Sequence, residues 1–280
     1  MWNFAVIGDP IHHSLSPPLH NYLMGKSGIA GHYSRIHVET EQELTAVIAN
    51  IKGGELDGIN ITSPWKAKSV NYVKALTPEA ESAGVINTIG RNTDGLTGHN
   101  TDIIGFTEAL TRNFNVAEME SPVILGAGGA ARAVLLGLQK LGFRQCTLLN
   151  RTPANAEALL DSIHNPIRCR VQPLLDINLK NALNYADLLI NTLPEYGRKV
   201  FESVAFPANS SGAYFDLLYA EEHQTLVRDA NKSGWNVSDG LDMLIYQGIE
   251  ALEFWTGDRV KEIIELDLLR QFLRQGGRDG

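Results

Sequence analysis

Short apolar runs alternate with stretches of helical period along the first hundred residues. Phe4–Gly8 is a continuous apolar run that predicts a buried strand, and a Ser/Pro turn separates it from a helix near Pro18–Ser27. His32–Val38 predicts a second strand. Glu41–Ile51 places Leu44, Val47, Ile48 and Ile51 on one helical face. Gly58–Thr62 and Val85–Ile89 predict further strands, with a helix over Lys66–Ala75 between them. Strands and helices in alternation imply a largely parallel sheet covered by helices on both faces.

Ser121 to about Ser238 repeats the theme more regularly, with strands predicted at Val123–Leu125, Cys146–Leu149, Leu188–Ile190, Ala213–Leu217 and Trp235–Val237. The character then changes. Gly240–Trp255 and Val260–Gln275 carry helical periodicity and no strand pattern. The expected fold class is therefore α/β with two domains. The second series belongs to a domain over 104–239, and the helices of 240–280 follow it.

Composition narrows the partners. The 280 residues carry 24 Lys+Arg against 32 Asp+Glu, a formal charge of −8, which argues against nucleic acid or an anionic membrane as the main partner. The chain opens on an apolar strand with no basic n-region, so no secretory leader is expected. Cys146 and Cys169 stand in no metal-ligand spacing and imply no disulfide framework, which suits a reducing cytoplasm. His12, His13 and His99 lack the spacing of a metal site, and none is expected.

The sharpest local signal is Val123-Ile124-Leu125-Gly126-Ala127-Gly128-Gly129-Ala130-Ala131-Arg132-Ala133, an apolar strand entering a glycine turn and then an Ala/Leu-rich helix. Gly126 allows the tight turn, Gly128 admits a pyrophosphate close to the backbone, and Ala131 lets helix and strand approach. Gly126 to Ala130 are thus candidate cofactor residues. The next strand ends at Asn150-Arg151-Thr152. A carboxylate there would bind the ribose 2′-hydroxyl of NAD, whereas a guanidinium clamps a 2′-phosphate, so NADP is expected.

Three polar stretches each follow a predicted strand: Gly8-Asp9-Pro10-Ile11-His12-His13-Ser14-Leu15-Ser16-Pro17, Asn60-Ile61-Thr62-Ser63-Pro64-Trp65-Lys66, and Asn87-Thr88 followed by His99-Asn100-Thr101-Asp102. With the glycine turn, Phe215-Asp216-Leu217-Leu218-Tyr219 and the run Gly240 to Gly248, the chain resembles the shikimate dehydrogenase family from Gly8 to Gly257, motif by motif in the same order. The resemblance implies a Rossmann-type NADP-binding domain over 104–239 inserted into an α/β substrate domain of 1–103 and the returning helices of 240–280. It also implies reversible reduction of 3-dehydroshikimate to shikimate by NADPH, a cytoplasmic step of aromatic amino acid biosynthesis, in a monomer or homodimer. It implies that Ser14 and Ser16, assisted by Tyr219, bind the substrate carboxylate, and that Thr62, Asn87 and Gln247 bind the ring oxygens. Lys66 and Asp102 would form the catalytic pair, and Leu217, Gly240 and Met243 would join the cofactor site.

Two roles stay open for Lys66. A neighbouring carboxylate favours the ammonium and desolvation the free amine, so it is either a proton shuttle or an electrostatic clamp. A quinate or dual quinate/shikimate dehydrogenase is the alternative within the family, and Ser16, bulkier than glycine, favours shikimate. A catalytically silent nicotinamide-sensing protein is the alternative outside it, and would need neither Lys66 nor Asp102. The chain departs from the family pattern at Trp65, at Leu193 in Asn191-Thr192-Leu193-Pro194, at Ala220-Glu221, and at Asn155, where many NADP-using relatives carry a second cation.

Overall fold

The structure, a computed structural model, describes residues 1–163, 166–208 and 212–277. It divides into two compact units, Met1–Gly105 with Leu244–Gly280, and Phe106–Met243.

In the first unit, β1 (Trp2–Gly8), α1 (Ser16–Lys26), β2 (Gly31–His37), α2 (Glu41–Gly53) and β3 (Gly58–Ile61) form right at the start of the chain. The α2 helix begins at a reciprocal cap, in which the Thr40 side chain accepts from the Glu43 amide while the Glu43 carboxylate accepts from the Thr40 amide. Its face of Leu44, Val47, Ile48 and Ile51 is buried, as its spacing predicts. There follow β4 (Ala75–Leu76), α3 (Pro78–Ala83), β5 (Thr88–Asn92), β6 (Gly95–His99) and the start of α4 (Thr101–Asn113), which from Phe106 on belongs to the second unit. The sheet order is β2-β1-β3-β5-β6-β4. β1, β2 and β3 are parallel, but β5 runs antiparallel to both β3 and β6.

Lys66–Ala75 is not the helix that the sequence predicts. Only a 3₁₀ turn forms, at Lys68–Tyr72. The β-branched and aromatic residues there are weak helix formers, and Val70, Tyr72 and Val73 instead pack singly onto the core of this unit.

The second unit contains β7 (Pro122–Leu125), α5 (Gly129–Lys140), β8 (Gln145–Asn150), α6 (Pro153–Asp161), β9 (Arg168–Pro173), α7 (Asp176–Tyr185), β10 (Leu188–Asn191), β11 (Ala213–Asp216), α8 (Thr225–Lys232) and β12 (Asn236–Ser238). Every pairing described in its sheet is parallel, in the order β12-β11-β10-β7-β8-β9. The strand order reverses between β7 and β10, which opens a crevice at their carboxyl ends. The chain re-enters the first unit within α9 (Leu241–Thr256) and ends on α10 (Leu266–Arg274). Seating α9 depends on glycine: a Cβ on Gly58 or Gly90 would run into the Trp255 or Phe254 ring.

Cys146 and Cys169 contradict the expectation of no disulfide. The parallel register of β8 and β9 sets them opposite each other, Cα atoms 5.0 Å apart, and they are bonded. A pairing across a strand crossover has no spacing signature. Cysteine usage therefore no longer argues for a reducing compartment. Among the described residues, no helix is long and apolar enough to cross a membrane.

Candidate active site and cofactor turn

Strand direction gathers the polar stretches of the first unit at one edge of its sheet. β1 and β3 are parallel and in register, Ile7 opposite Ile61, so the segments that follow Gly8 and Ile61 leave together. The Thr62 amide continues the ladder onto Ile7 O at 2.9 Å. Because β5 is antiparallel, its beginning lies at this same edge, where the Ile61 amide donates to Asn87 O at 2.7 Å and the Asn87 amide to His99 O at 3.1 Å. The end of β6 therefore delivers Thr101 and Asp102 next to Asn87.

Lys66 and Asp102 meet here, Nζ to Oδ2 at 2.5 Å, both partly buried. Asn87, 3% exposed, holds the other carboxylate oxygen through Nδ2 at 2.9 Å. Its Oδ1 accepts from the Thr101 amide at 2.8 Å and the Thr88 hydroxyl at 3.0 Å. Behind them the Asn60 amide donates to Thr88 Oγ1 at 2.9 Å, and the Tyr33 hydroxyl donates to Asn60 Oδ1 at 2.7 Å. Burial holds the Tyr33 phenol well above the usual tyrosine range, opposed by the hydroxyl of Ser16, so it stays a donor. The carboxylate of Asp102 is thus fixed by a chain of neutral amides and hydroxyls running into the core.

Gln247, on α9, donates to Leu244 O at 2.8 Å, and its Oε1 accepts from the Thr101 hydroxyl at 3.4 Å. Ser14 Oγ accepts the Ser16 amide at 3.2 Å, and the Arg35 guanidinium fixes Ser14 O with contacts of 2.5 and 3.2 Å. Trp65 packs inward, its indole donating to Val38 O at 2.7 Å, so this departure from the family pattern serves the core. Tyr33 and Arg35 escape sequence reasoning, and Asn60, Thr88 and Thr101 stand in the polar stretches without an expected role. Only the sheet order β2-β1-β3-β5-β6, invisible in local pattern, brings them to the site. Tyr219 lies in the second unit, just past β11.

The glycine turn is in the second unit. Gly126 adopts φ +97°, and a Cβ there would sit 2.7 Å from Thr192 Oγ1. Gly128 and Gly129 are exposed, and a Cβ on either would meet nothing within 4 Å, so the start of the twelve-residue helix α5 is open. An open helix N-terminus with its dipole suits a pyrophosphate. A cavity of about 400 Å³ opens there, bounded by the glycine turn, by Asn150, Arg151, Thr152 and Asn155, and by the segment after β10 with Tyr196 and Lys199. The residues fit a dinucleotide. Gly240 packs directly on Leu217 O, where a Cβ would collide, which ties the start of α9 to the end of β11. Among the described residues, no cluster of three or more His, Cys, Asp or Glu side chains has the arrangement of a metal site.

Comparison with known proteins identifies the family. A family model described as the shikimate dehydrogenase substrate binding domain matches residues 6–89, and one described as the shikimate 5'-dehydrogenase C-terminal domain matches 240–262. A shikimate dehydrogenase (NADP(+)) of Lysinibacillus sphaericus is 34% identical over 263 residues, covering 91% of this chain and 92% of its own. That of Gloeothece citriformis is 32% identical over 277 residues, covering 96% and 94%. Among solved structures, shikimate 5-dehydrogenase from Thermus thermophilus in complex with NADP(H) and shikimate superposes with a TM-score of 0.81 at 30% identity, over 98% of this chain and 99% of that one. The enzyme from Listeria monocytogenes in complex with shikimate and NAD gives 0.84 at 27% identity, over 98% and 96%. With a third of its residues identical across nine-tenths of its length, this chain belongs to the shikimate dehydrogenase family.

Proposed function

We propose that the chain catalyses reversible reduction of 3-dehydroshikimate to shikimate with NADP as its cofactor, using Lys66 and Asp102 as the catalytic pair. The observation that carries this reading is the Lys66–Asp102 contact at 2.5 Å, beside Asn87, at the sheet edge where the segments that follow β1 and β3 leave. When bound, the dinucleotide supplies the hydride. Lys66, as an ammonium, donates a hydrogen bond to the ketone oxygen as charge develops on it and passes it a proton; in the oxidation direction the amine takes the alcohol proton back. Asp102, held by Asn87, orients Nζ and offsets its charge in a partly buried place.

Ser14 and Ser16 offer hydroxyls to the substrate carboxylate, and Thr62, Asn87 and Gln247 meet the ring oxygens. Gly126, Ala127, Gly128, Gly129 and Ala130 receive the pyrophosphate, while Asn150, Arg151 and Thr152 meet the 2′-phosphate. Leu217, Gly240 and Met243 complete the nicotinamide side. The first unit takes the substrate and the second the cofactor, in a cytoplasmic enzyme.

The test follows the nicotinamide absorbance with shikimate and NADP. Lys66→Ala should reduce turnover by roughly 10³-fold, within the usual worth of a positioned acid–base group, and leave NADPH affinity within about twofold. Undiminished turnover would remove Lys66 from the mechanism.

A further inference from the structure

The cofactor cavity carries more positive charge than its strand-end motif supplies. Its described lining contains two cations, Arg151 and Lys199, and no carboxylate, in a chain whose formal charge is −8. The two come from opposite sides of the glycine turn. Arg151 follows β8, and Lys199 lies in the 3₁₀ segment Glu195–Glu202 that follows β10; β7 separates these strands.

The Lys199 segment is anchored at both ends of its approach. At its root, the Thr192 amide and hydroxyl both donate to Leu125 O, at 2.9 and 2.8 Å, and Thr192 and Leu193 sit against Gly126. Farther along, the Arg198 guanidinium grips the Asp216 carboxylate through both terminal nitrogens, one of them at 2.8 Å. Asp216 is fully buried and also receives Tyr214 OH at 2.6 Å and the Leu218 amide at 3.0 Å. Arg198 is 11% exposed in its side chain, whereas its neighbour Lys199 is exposed at the cavity. One basic residue thus clamps the segment and the next is free to meet an anion.

We propose that Lys199 is a second phosphate-binding cation, and that it serves the pyrophosphate over the glycine turn while Arg151 serves the 2′-phosphate. This rests on the reading that the cavity takes a dinucleotide. The root of the Lys199 segment packs on Gly126, where a pyrophosphate is cradled, whereas Arg151 stands at the β8 end, where the ribose 2′ position falls in folds of this order. A lysine suits the former task, since it acts as a mobile point charge, and a planar guanidinium suits the latter. The division of labour has a consequence: the pyrophosphate is common to both dinucleotides and the 2′-phosphate is not.

Binding of NADPH and of NADH to the full chain without substrate, by titration calorimetry, tests it. Lys199→Gln should weaken both by the same factor, about 10-fold, and Lys199→Arg should restore most of the loss. Arg151→Ala should weaken NADPH by at least about 10-fold more than NADH. A Lys199→Gln effect confined to NADPH would overturn the pyrophosphate assignment, and unchanged affinity for both would remove Lys199 from the site. If Arg151→Ala affects both cofactors equally while Lys199→Gln behaves as expected, the 2′-phosphate reading of Arg151 fails and the Lys199 assignment stands.

Discussion

Replacing Asn87 by alanine is the sharpest perturbation of the Lys66–Asp102 pair that leaves both partners in place. Asn87 is buried and its side chain makes four hydrogen bonds of 3.0 Å or less: two from Nδ2, to Asp102 Oδ1 and Thr101 Oγ1, and two into Oδ1, from the Thr101 amide and the Thr88 hydroxyl. Truncation strands the buried Thr101 N–H and takes one partner from the partly buried Asp102 Oδ1. At about 1–3 kcal/mol for the stranded N–H, and less for the carboxylate that water can reach, the first unit should lose roughly 2–3 kcal/mol. Freed of one tether, Asp102 holds Nζ less well, and turnover should fall about 10²-fold. Urea unfolding followed by tryptophan fluorescence, in which Trp65 and Trp255 report on the first unit, measures the first effect, and steady-state kinetics the second. Asn87→Asp separates the two. It keeps the acceptor but sets a second carboxyl 2.9 Å from Asp102 Oδ1, so the pair shares a proton and kcat should acquire a new acidic limb in its pH profile. An alanine variant within about 1 kcal/mol of the parent, with kcat unchanged, would refute the network as the support of Asp102.

Two further outcomes follow from packing. His20 is fully buried against Tyr33, ring centroids 4.1 Å apart, and burial pushes its pKa down to about 3, although the Asn60 side chain pulls the other way. The folded ring stays neutral while the unfolded one takes up a proton below about 6.5. Stability is therefore lost as pH falls from about 6.5 toward about 3, by roughly 2 kcal/mol at pH 5. His20→Phe should flatten that slope, and parallel stability curves for the two proteins would exclude His20 as its source. Gly58→Ala should cost about 1–3 kcal/mol, because the new methyl displaces the Trp255 indole and with it the 2.9 Å bond to Ile89 O; an unshifted urea midpoint would refute that packing.

Legibility in the sequence tracks burial on both faces. β1, β3, β7, β10 and β11 are mostly apolar and buried, and each is readable to within about a residue or two. β6 is Gly95-Leu96-Thr97-Gly98-His99, with one large apolar side chain, and it exists because the turn at Asn92–Gly95 folds it back on β5. β9, Arg168-Cys169-Arg170-Val171-Gln172-Pro173, is an edge strand whose cations and proline guard its open side, and they hide its strand pattern. The same limit applies at the site. Lys66, Asp102 and Asn87 stand in recognisable motifs with a role to match, but Tyr33 is an ordinary strand residue, and the supporting role of Asn60 and Thr88 depends wholly on which strands are neighbours. Lys199 is illegible for another reason: no spacing relates it to a glycine turn so much earlier in the chain.

The division of the chain into two units also sorts the chemistry. The hydrogen bonds described above that fix Lys66 and Asp102, from Tyr33 through Asn60, Thr88 and Asn87 to Thr101, are made inside the first unit. The lining residues of the dinucleotide cavity, and the Arg198–Asp216 clamp beneath it, belong to the second. The acid–base pair therefore needs no cofactor to be set in place, and the cation set needs no substrate. Substitutions in the first network should lower kcat at saturating NADPH while leaving its Kd alone. Those at Arg151 and Lys199 should raise the Kd and be largely recovered by excess cofactor. A variant such as Asn87→Ala that weakened NADPH binding by about 10-fold would show that the two sets are coupled, and would require a two-state element that both bias.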